Sequence, residues 1–378
     1  MIDIYKELKI PTMINAYAAF TVLGGSCMND TTIEYMASAS REYVDIRDFQ
    51  KSLHERIAEM TKNEASYICP GAMAGIYLAT YAAVARKYGK NVRYLSKDQI
   101  SKCEVLAFKG QRNPYDRAIE QTGVRTVDFM YPNMWDAPNA SHLEHSITEN
   151  TVAIYVLAGA RNVFPTYMPL EEIIHVANTR NIPVFVDAAA QIPPIETLWK
   201  YNQMGATITL ASGGKDLGGP QATGLITGSK EFINIIVEHG FPNYGIGRMF
   251  KIGRESMAGI YAAIKQYLEM DSEEYNRRME DEVAYIGEVF NDSKIFKYER
   301  DFPNESGQPV PRAFLEIIST QTDCIEIIEL LKRNSKPIIT MSEGRNGIFV
   351  NPMTLRTGEL EIVISALKKI ESEILLRS

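Results

Sequence analysis

In the run TLASGGKDLGGPQATGLITG, Thr209 to Gly228, a single lysine, Lys215, follows two glycines and precedes a second glycine pair. A solvated loop lysine needs no such company, whereas glycine lets backbone pass close to a bound group. Twenty-eight positions upstream, Asp187 ends the apolar run IPVFVD and is followed by three alanines. A carboxylate at the carboxyl end of a buried parallel strand faces the crevice where open α/β sheets bind ligands. Small residues beside it let something flat lie close; the alternative is an aspartate capping the next turn. Further upstream, YICPGAMAGIYLA reads as a strand end entering a helix at Gly71, Ala72 and Met73. Free amides at a helix start suit a phosphate; the alternative is a helix start packed tightly on the sheet.

A phosphate cradle, a carboxylate and a lysine are together what pyridoxal 5′-phosphate requires. The lysine forms the Schiff base, the acid keeps the pyridine nitrogen protonated, and the helix start holds the phosphate. Competing motifs fail. A P-loop needs Ser or Thr after its lysine, and Asp216 stands there. An S-x-x-K nucleophile begins a helix, which the glycines oppose, and no K-T-G partner is present. No G-x-G-x-x-G follows the first strand. The histidines form no metal pattern: His142 and His145 sit in the polar run SHLEHS, and H-E-x-x-H is absent.

The elements that must position these residues follow from periodicity. From about Asp48 to Gly228, short apolar runs (ASYICP, CEVLAF, VRTVDFM, TVAIYVLAG, IPVFVDAAA, ATITLAS, ATGLITG) alternate with helical patterns. Such alternation predicts a mostly parallel seven-stranded sheet between helices. After Gly253 long helices lead to short strands near Arg312–Ile317 and Ile348–Val350 and a final helix. The expected organisation is a large α/β domain over 46–255, with 1–45 and 256–378 forming a smaller α+β domain. Asp301–Pro311 is the most linker-like stretch. The 378 residues carry a net charge of −7, which recruits neither nucleic acid nor an anionic membrane. Four scattered cysteines, no signal-peptide pattern and no apolar run long enough to span a bilayer predict a soluble, cytoplasmic protein.

The chain resembles the fold-type I pyridoxal-phosphate enzymes, and more narrowly the selenocysteine-synthase-like group that includes D-glucosaminate-6-phosphate ammonia-lyases. The matching stretches span most of residues 13–265 and include ASREYVDIRDFQKSLHERIAEMT, GAMAGIYLAT, GQRNPYDRAI, MPLEEIIHVANTRNIPVFVDAAAQIPP, SGGKDLGGPQATGLITG and GRMFKIGRESMAGIYAAI. The resemblance implies that Lys215 holds the cofactor aldehyde and that Asp187 pairs with the pyridinium. It implies that Ser212 and the backbone of Gly71, Ala72 and Met73 hold the phosphate, and that Ala189 lies against one ring face. Three departures stand out. Class V relatives place Gln three residues after the Asp, where this chain has Ala190 and then Gln191. Met73 replaces a smaller residue, and AYAAF at Ala16–Phe20 is bulkier than usual.

Further residues have two readings each. Arg112 and Tyr115, in QRNPYDRA, either stack on or contact the cofactor or form a helix-capping turn. Arg248, Lys251 and Arg254 either bind an anionic substrate or a partner subunit's cofactor phosphate or form a solvated face. Arg41 and Tyr43 could reach the mouth of the site, and Arg356 lies where many relatives bind the substrate carboxylate. The implied activity is a lyase eliminating water and ammonia from an anionic or phosphorylated 2-amino-3-hydroxy acid. Racemase, aldolase and aminotransferase chemistry use the same machinery, and a selenium transferase acting on tRNA is a third class that the acidic charge opposes. The resemblance implies a homodimer or larger homo-oligomer.

Overall fold

The computed structural model describes residues 3–89, 94–129, 137–159 and 167–377. Along the chain its strands are β1 (Ile14–Asn15), β2 (Ala65–Cys69), β3 (Glu104–Phe108), β4 (Arg125–Phe129), β5 (Thr151–Leu157) and β6 (Val184–Asp187). They continue as β7 (Ile208–Ser212), β8 (Gly224–Gly228), β9 (Phe296–Asp301), β10 (Arg312–Ile317), β11 (Ile338–Ile339) and β12 (Gly347–Val350). The chain divides into two units. One comprises Ser26–Met270 with Glu305–Gln308; the other comprises Met1–Gly25, Asp271–Asn304 and Pro309–Ser378.

The first unit holds a seven-stranded sheet ordered β2-β8-β7-β6-β5-β3-β4. Only β8 runs antiparallel to its neighbours, β2 and β7. Both faces are covered. Tyr67, Val105, Phe185 and Leu210 pack with the helices Ala72–Tyr88 and Lys230–His239. The alternate residues Leu106, Ile154, Val184 and Val186 pack with Leu170–Thr179. The helix Ala72–Tyr88 has nearly all-apolar sides because it is sandwiched: Ala74 to Ala85 are all buried. Gly89 ends it in the left-handed conformation at φ 58°. At Gly75 a Cβ would come within 2.8 Å of Leu210, so the missing side chain lets this helix seat directly on the sheet.

Residues 26–45 and 256–270 both differ from the expected division, because the helix Asp30–Ser40 lies along Arg254–Glu269 in the sheet-bearing unit. Gln266 donates to Thr32 at 3.1 Å and accepts from Asn29 at 2.7 Å, and Met36 packs where a side chain on Gly259 would stand. The stretch PIETLWKYNQMG, expected as one helix, is a 3-10 turn (Ile195–Leu198) and a short helix (Lys200–Gln203) separated by Trp199 at φ −139°. The stretch PYDRAIEQTG is helical only over Arg117–Glu120.

The second unit contains the antiparallel sheet β12-β10-β9 and the parallel pair β1-β11. The helices Ser272–Phe290, Cys324–Lys332 and Glu359–Leu375 pack against them around Ile14, Val283, Leu315 and Leu367. Ala16 to Ala19, the bulky departure, are buried here, and the Tyr17 hydroxyl donates to Glu343 at 2.8 Å. No described helix is long and apolar enough to cross a membrane.

Candidate active site

Strand alternation puts the candidate residues on one side of the sheet. In β6, Asp187 shares the face of Phe185; in β5, Tyr155 occupies the same face; in β7, Ser212 follows Leu210 by two. Register then brings them to one end. Leu157 pairs with Asp187, Asp187 with Leu210, Ser212 with Gly224, and Gly224 with Cys69, two residues before Gly71.

Gly71 adopts φ +107°, a conformation that favours glycine, and caps the helix beginning at Ala72. A Cβ on Gly224 would come within 2.5 to 2.8 Å of the backbone of Gly71 and Ala72. The helix start therefore sits directly against the strand between it and Ser212. The amides of Ala72 and Met73 belong to the first turn, where no intrahelical carbonyl can receive them. With the partly exposed Ser212 one strand away they form a cradle of neutral donors suited to a phosphate.

Asp187 is 3% exposed. Its Oδ2 accepts from the Tyr155 hydroxyl at 2.6 Å and its Oδ1 from the Ala189 amide at 3.0 Å. Burial raises its pKa, while Tyr155, Ala189 and the charge of Lys215 oppose the rise. Burial and the adjoining Asp187 push the Tyr155 hydroxyl well above its ordinary range, so it stays a donor. A buried carboxylate fixed at both oxygens and facing a cation suits a ring N–H. Ala188 donates to the carbonyl of Leu210 at 2.8 Å, and Ala189 is partly exposed just beyond.

The glycines around Lys215 are required by contact. Gly213 donates to Thr223 at 2.9 Å, and a Cβ there would overlap the Thr223 hydroxyl. A Cβ on Gly214 would overlap the backbone of Gln221. Gly218, at φ +69°, donates to the Lys215 carbonyl at 2.9 Å and closes the turn. Lys215 is partly exposed and interacts electrostatically with both Asp187 and Asp216.

Asp187 lines a cavity of about 310 Å³ with Gln111, Arg112, Tyr167, Gln191 and Glu305. Gln191 is 7% exposed, and its Nε2 donates to the carbonyls of Ala190 at 2.9 Å and Ser306 at 2.5 Å. The linker-like stretch Asp301–Pro311 thus supplies part of the wall: Glu305–Gln308 straps onto the sheet-bearing unit. A larger cavity of about 570 Å³, lined by Arg47, His54 and Lys230 among others, contains none of these residues.

The remaining candidates are placed as follows. Arg112 is ion-paired with Asp116 at 2.7 Å, with Asp128, and with Glu120 at 3.4 Å, and its hydrogen bond to Asp116 raises its pKa. Three carboxylates on one guanidinium leave little charge for a phosphate. Tyr115 is 52% exposed. Arg248 stacks over Phe241 and Tyr244; Lys251 is exposed. Arg254 donates to the carbonyls of Ala39 at 2.7 Å and Ser40 at 3.0 Å, with Tyr43 beside it. Arg41 is exposed. Arg356, in the second unit, donates to Glu359 at 2.7 Å. Among the described residues no His/Cys/Asp/Glu group could hold a metal ion. Sequence reasoning missed Tyr155 and Glu305. Only Tyr155 had a readable signal, since it shares a face and a strand end with Asp187.

Residues 79–264 match the profile of the class-V aminotransferase family. Over that stretch the chain is similar to the class-V aminotransferases. It is 25% identical over 376 residues to D-glucosaminate-6-phosphate ammonia lyase of Salmonella typhimurium, covering 97% of this chain and 98% of that one. It is 29% identical over 276 residues to a 5′-C-glycyluridine monooxygenase-decarboxylase of a Streptomyces species, covering 71% of this chain and 66% of that protein. The solved structure of a D-glucosaminate-6-phosphate ammonia-lyase superposes with a TM-score of 0.81 at 23% identity, over 99% of this chain and 100% of that one. That superposition shows the fold-type I architecture of the pyridoxal 5′-phosphate enzymes. The donor set fits that group: neutral amides for its phosphate, a buried acid for its ring nitrogen and a lysine for its aldehyde.

Proposed function

We propose that the enzyme is an ammonia lyase acting on an anionic or phosphorylated 2-amino-3-hydroxy acid. The observation that supports this reading is the meeting of Asp187, Lys215, Ser212 and the Gly71–Met73 turn at one sheet end, in a chain aligned end to end with an ammonia lyase. When bound, pyridoxal 5′-phosphate supplies an aldehyde and an electron-accepting ring. Ala72, Met73 and Ser212 would hold the phosphate; Asp187, fixed by Tyr155 and Ala189, would orient the ring and keep a proton on its nitrogen. Lys215 Nζ would bind the aldehyde and would carry the substrate's Cα proton in turnover. Loss of that proton and of the Cβ hydroxyl releases water. The resulting enamine takes water back and loses ammonia, leaving a 2-keto acid.

Arg248 and the exposed Lys251 form the basic run assigned here to an anion, either the substrate's or one at the site of a second copy. Arg41, Tyr115 and Arg356 are assigned secondary substrate contacts. Exposed Tyr43, Val44, Tyr244, Ile246 and Met249 are apolar surface in the same unit, which supports a homodimer. The four unpaired cysteines support a cytoplasmic setting. The test incubates purified enzyme, cofactor and candidate amino acids, including D-glucosaminate 6-phosphate, and measures ammonia and 2-keto acid. Ammonia with keto acid in equal amounts, lost in Lys215→Ala, is expected. Oxygen uptake with carbon dioxide would favour chemistry like that named for the Streptomyces relative. Inverted stereocentres, aldehyde or amino-group exchange without net ammonia would overturn the lyase reading.

A further inference from the structure

We infer that Gln308 is a positioning residue of this site: one buried amide that ties the turn of Lys215 to the loop leaving Asp187, so that lysine and acid keep a fixed relation. The inference rests on the assignment of Lys215 and Asp187 above. The need for a tie follows from where the strand pairing stops. β6 and β7 are last in register at Asp187 and Leu210, with one further bond from the Ala188 amide to the Leu210 carbonyl at 2.8 Å. Beyond that point the two segments part, one running through residues 213–219 and the other through 188–194. Each is ordered internally. Gly218 donates to the Lys215 carbonyl at 2.9 Å and Gly219 to that of Gly213 at 2.8 Å. The Ala189 amide donates to Asp187 Oδ1 at 3.0 Å, and the Gln191 amide to the Ala188 carbonyl at 3.0 Å. None of these four bonds crosses from one segment to the other. They leave the lysine turn able to pivot on its flanking glycine pairs, Gly213–Gly214 and Gly218–Gly219, where backbone rotation meets least resistance.

Gln308 supplies the crossing. It is 2% exposed, and its Nε2 donates to Asp216 Oδ2 at 3.1 Å and to the Ile192 carbonyl at 2.5 Å. Asp216 follows Lys215 directly, and Ile192 lies five residues after Asp187. The two amide hydrogens are thereby divided, one to each segment. The strap that carries Gln308 is itself pinned to the same loop, since Gln191 Nε2 donates to the Ser306 carbonyl at 2.5 Å. A Cβ on Gly159 would overlap the Gln191 side chain, so that side chain is packed against the end of β5. Strap and loop therefore exchange side-chain donors in both directions. A bond to a carboxylate is among the stronger ones, and removing its donor leaves the acceptor uncompensated. A pivot of the turn is magnified at the far end of the lysine side chain, and a reacting group displaced by about 1 Å loses about a hundredfold in rate.

The test is hydrogen exchange of the full-length, cofactor-free protein read by mass spectrometry, with visible circular dichroism of the loaded protein scaled to bound pyridoxal 5′-phosphate. Gln308→Met keeps the side-chain volume and removes both donors. It is expected to speed exchange in the peptides carrying 213–219 and 188–192 together, by about tenfold or more, with β3 and β10 unchanged. The visible dichroism per bound cofactor is expected to fall. Asp216→Ala is expected to loosen 213–219 alone, and Asp216→Asn, which keeps an oxygen for Gln308, to restore its protection; this pair carries the test if Gln308→Met does not fold. A 213–219 peptide at the wild-type rate in Gln308→Met, or an Asn variant as loose as the Ala variant, overturns the proposal. Unchanged dichroism over a loosened turn overturns it as well, because the bond would then serve stability alone. The expected exchange and dichroism in a protein that releases no ammonia would overturn the lyase reading alone.

Discussion

Asp216 makes the enzyme less stable where it is ionised, and Asp216→Asn should reveal this. The unfolded chain titrates this carboxyl near 3.8, the folded protein near 6. Between those values the folded state binds more protons, so the group's contribution is fully present below about pH 4 and is lost as pH rises through 6. The difference of roughly 2 units corresponds to about 3 kcal/mol at 1.36 kcal/mol per unit. Asparagine keeps an acceptor for Gln308 and cannot ionise. The unfolding free energy of the variant relative to wild type should therefore rise by about 3 kcal/mol between pH 4 and pH 8. Urea titrations of the cofactor-free protein, followed by circular dichroism at pH 4, 6 and 8, read this directly. A difference between variant and wild type that stays flat across that range refutes the reasoning, because no burial of an ionisable carboxyl would then be involved.

Other outcomes follow from the same structure. His54, 8% exposed and accepting from the Ile68 amide at 3.1 Å, is lowered by burial from 6.5 to about 4. Its contribution is present above 6.5 and is lost as pH falls toward 4, about 3 kcal/mol in all, and His54→Gln should flatten that acid loss in urea titrations. Tyr155→Phe removes the hydroxyl donor from a buried carboxylate, about 1.5 to 3 kcal/mol, and should weaken cofactor affinity about tenfold or more in fluorescence titrations. Gly214→Ala would force a Cβ into the Gln221 backbone and should lower both thermal stability and cofactor loading, measured by melting and by visible absorbance.

Much of the fold was legible because the seven strands of the first unit are short apolar runs bounded by glycine, proline or polar turns, and all seven form where the runs stand. The helix Asp30–Ser40 was not assigned to its unit, since its pattern is weakly amphipathic and only packing on Arg254–Glu269 fixes it. The site was legible where chemistry is local in sequence: Asp187 ends a strand, and Lys215 lies among glycines whose reason, close approach, is visible only in three dimensions. The strap was read as a linker because Pro, Gly and polar residues look alike in a spacer and in a wall held by Gln191 and Gln308. Arg112 looked available because the carboxylates that neutralise it, Asp116, Glu120 and Asp128, are scattered along the chain.

The central claim is that Lys215 is the residue that carries the cofactor. Enzyme loaded with pyridoxal 5′-phosphate, reduced with borohydride, digested and mapped by mass spectrometry, should carry the pyridoxyl group on the Lys215 peptide and on no other. A label on a different lysine, or none despite visible absorbance before reduction, would contradict the account.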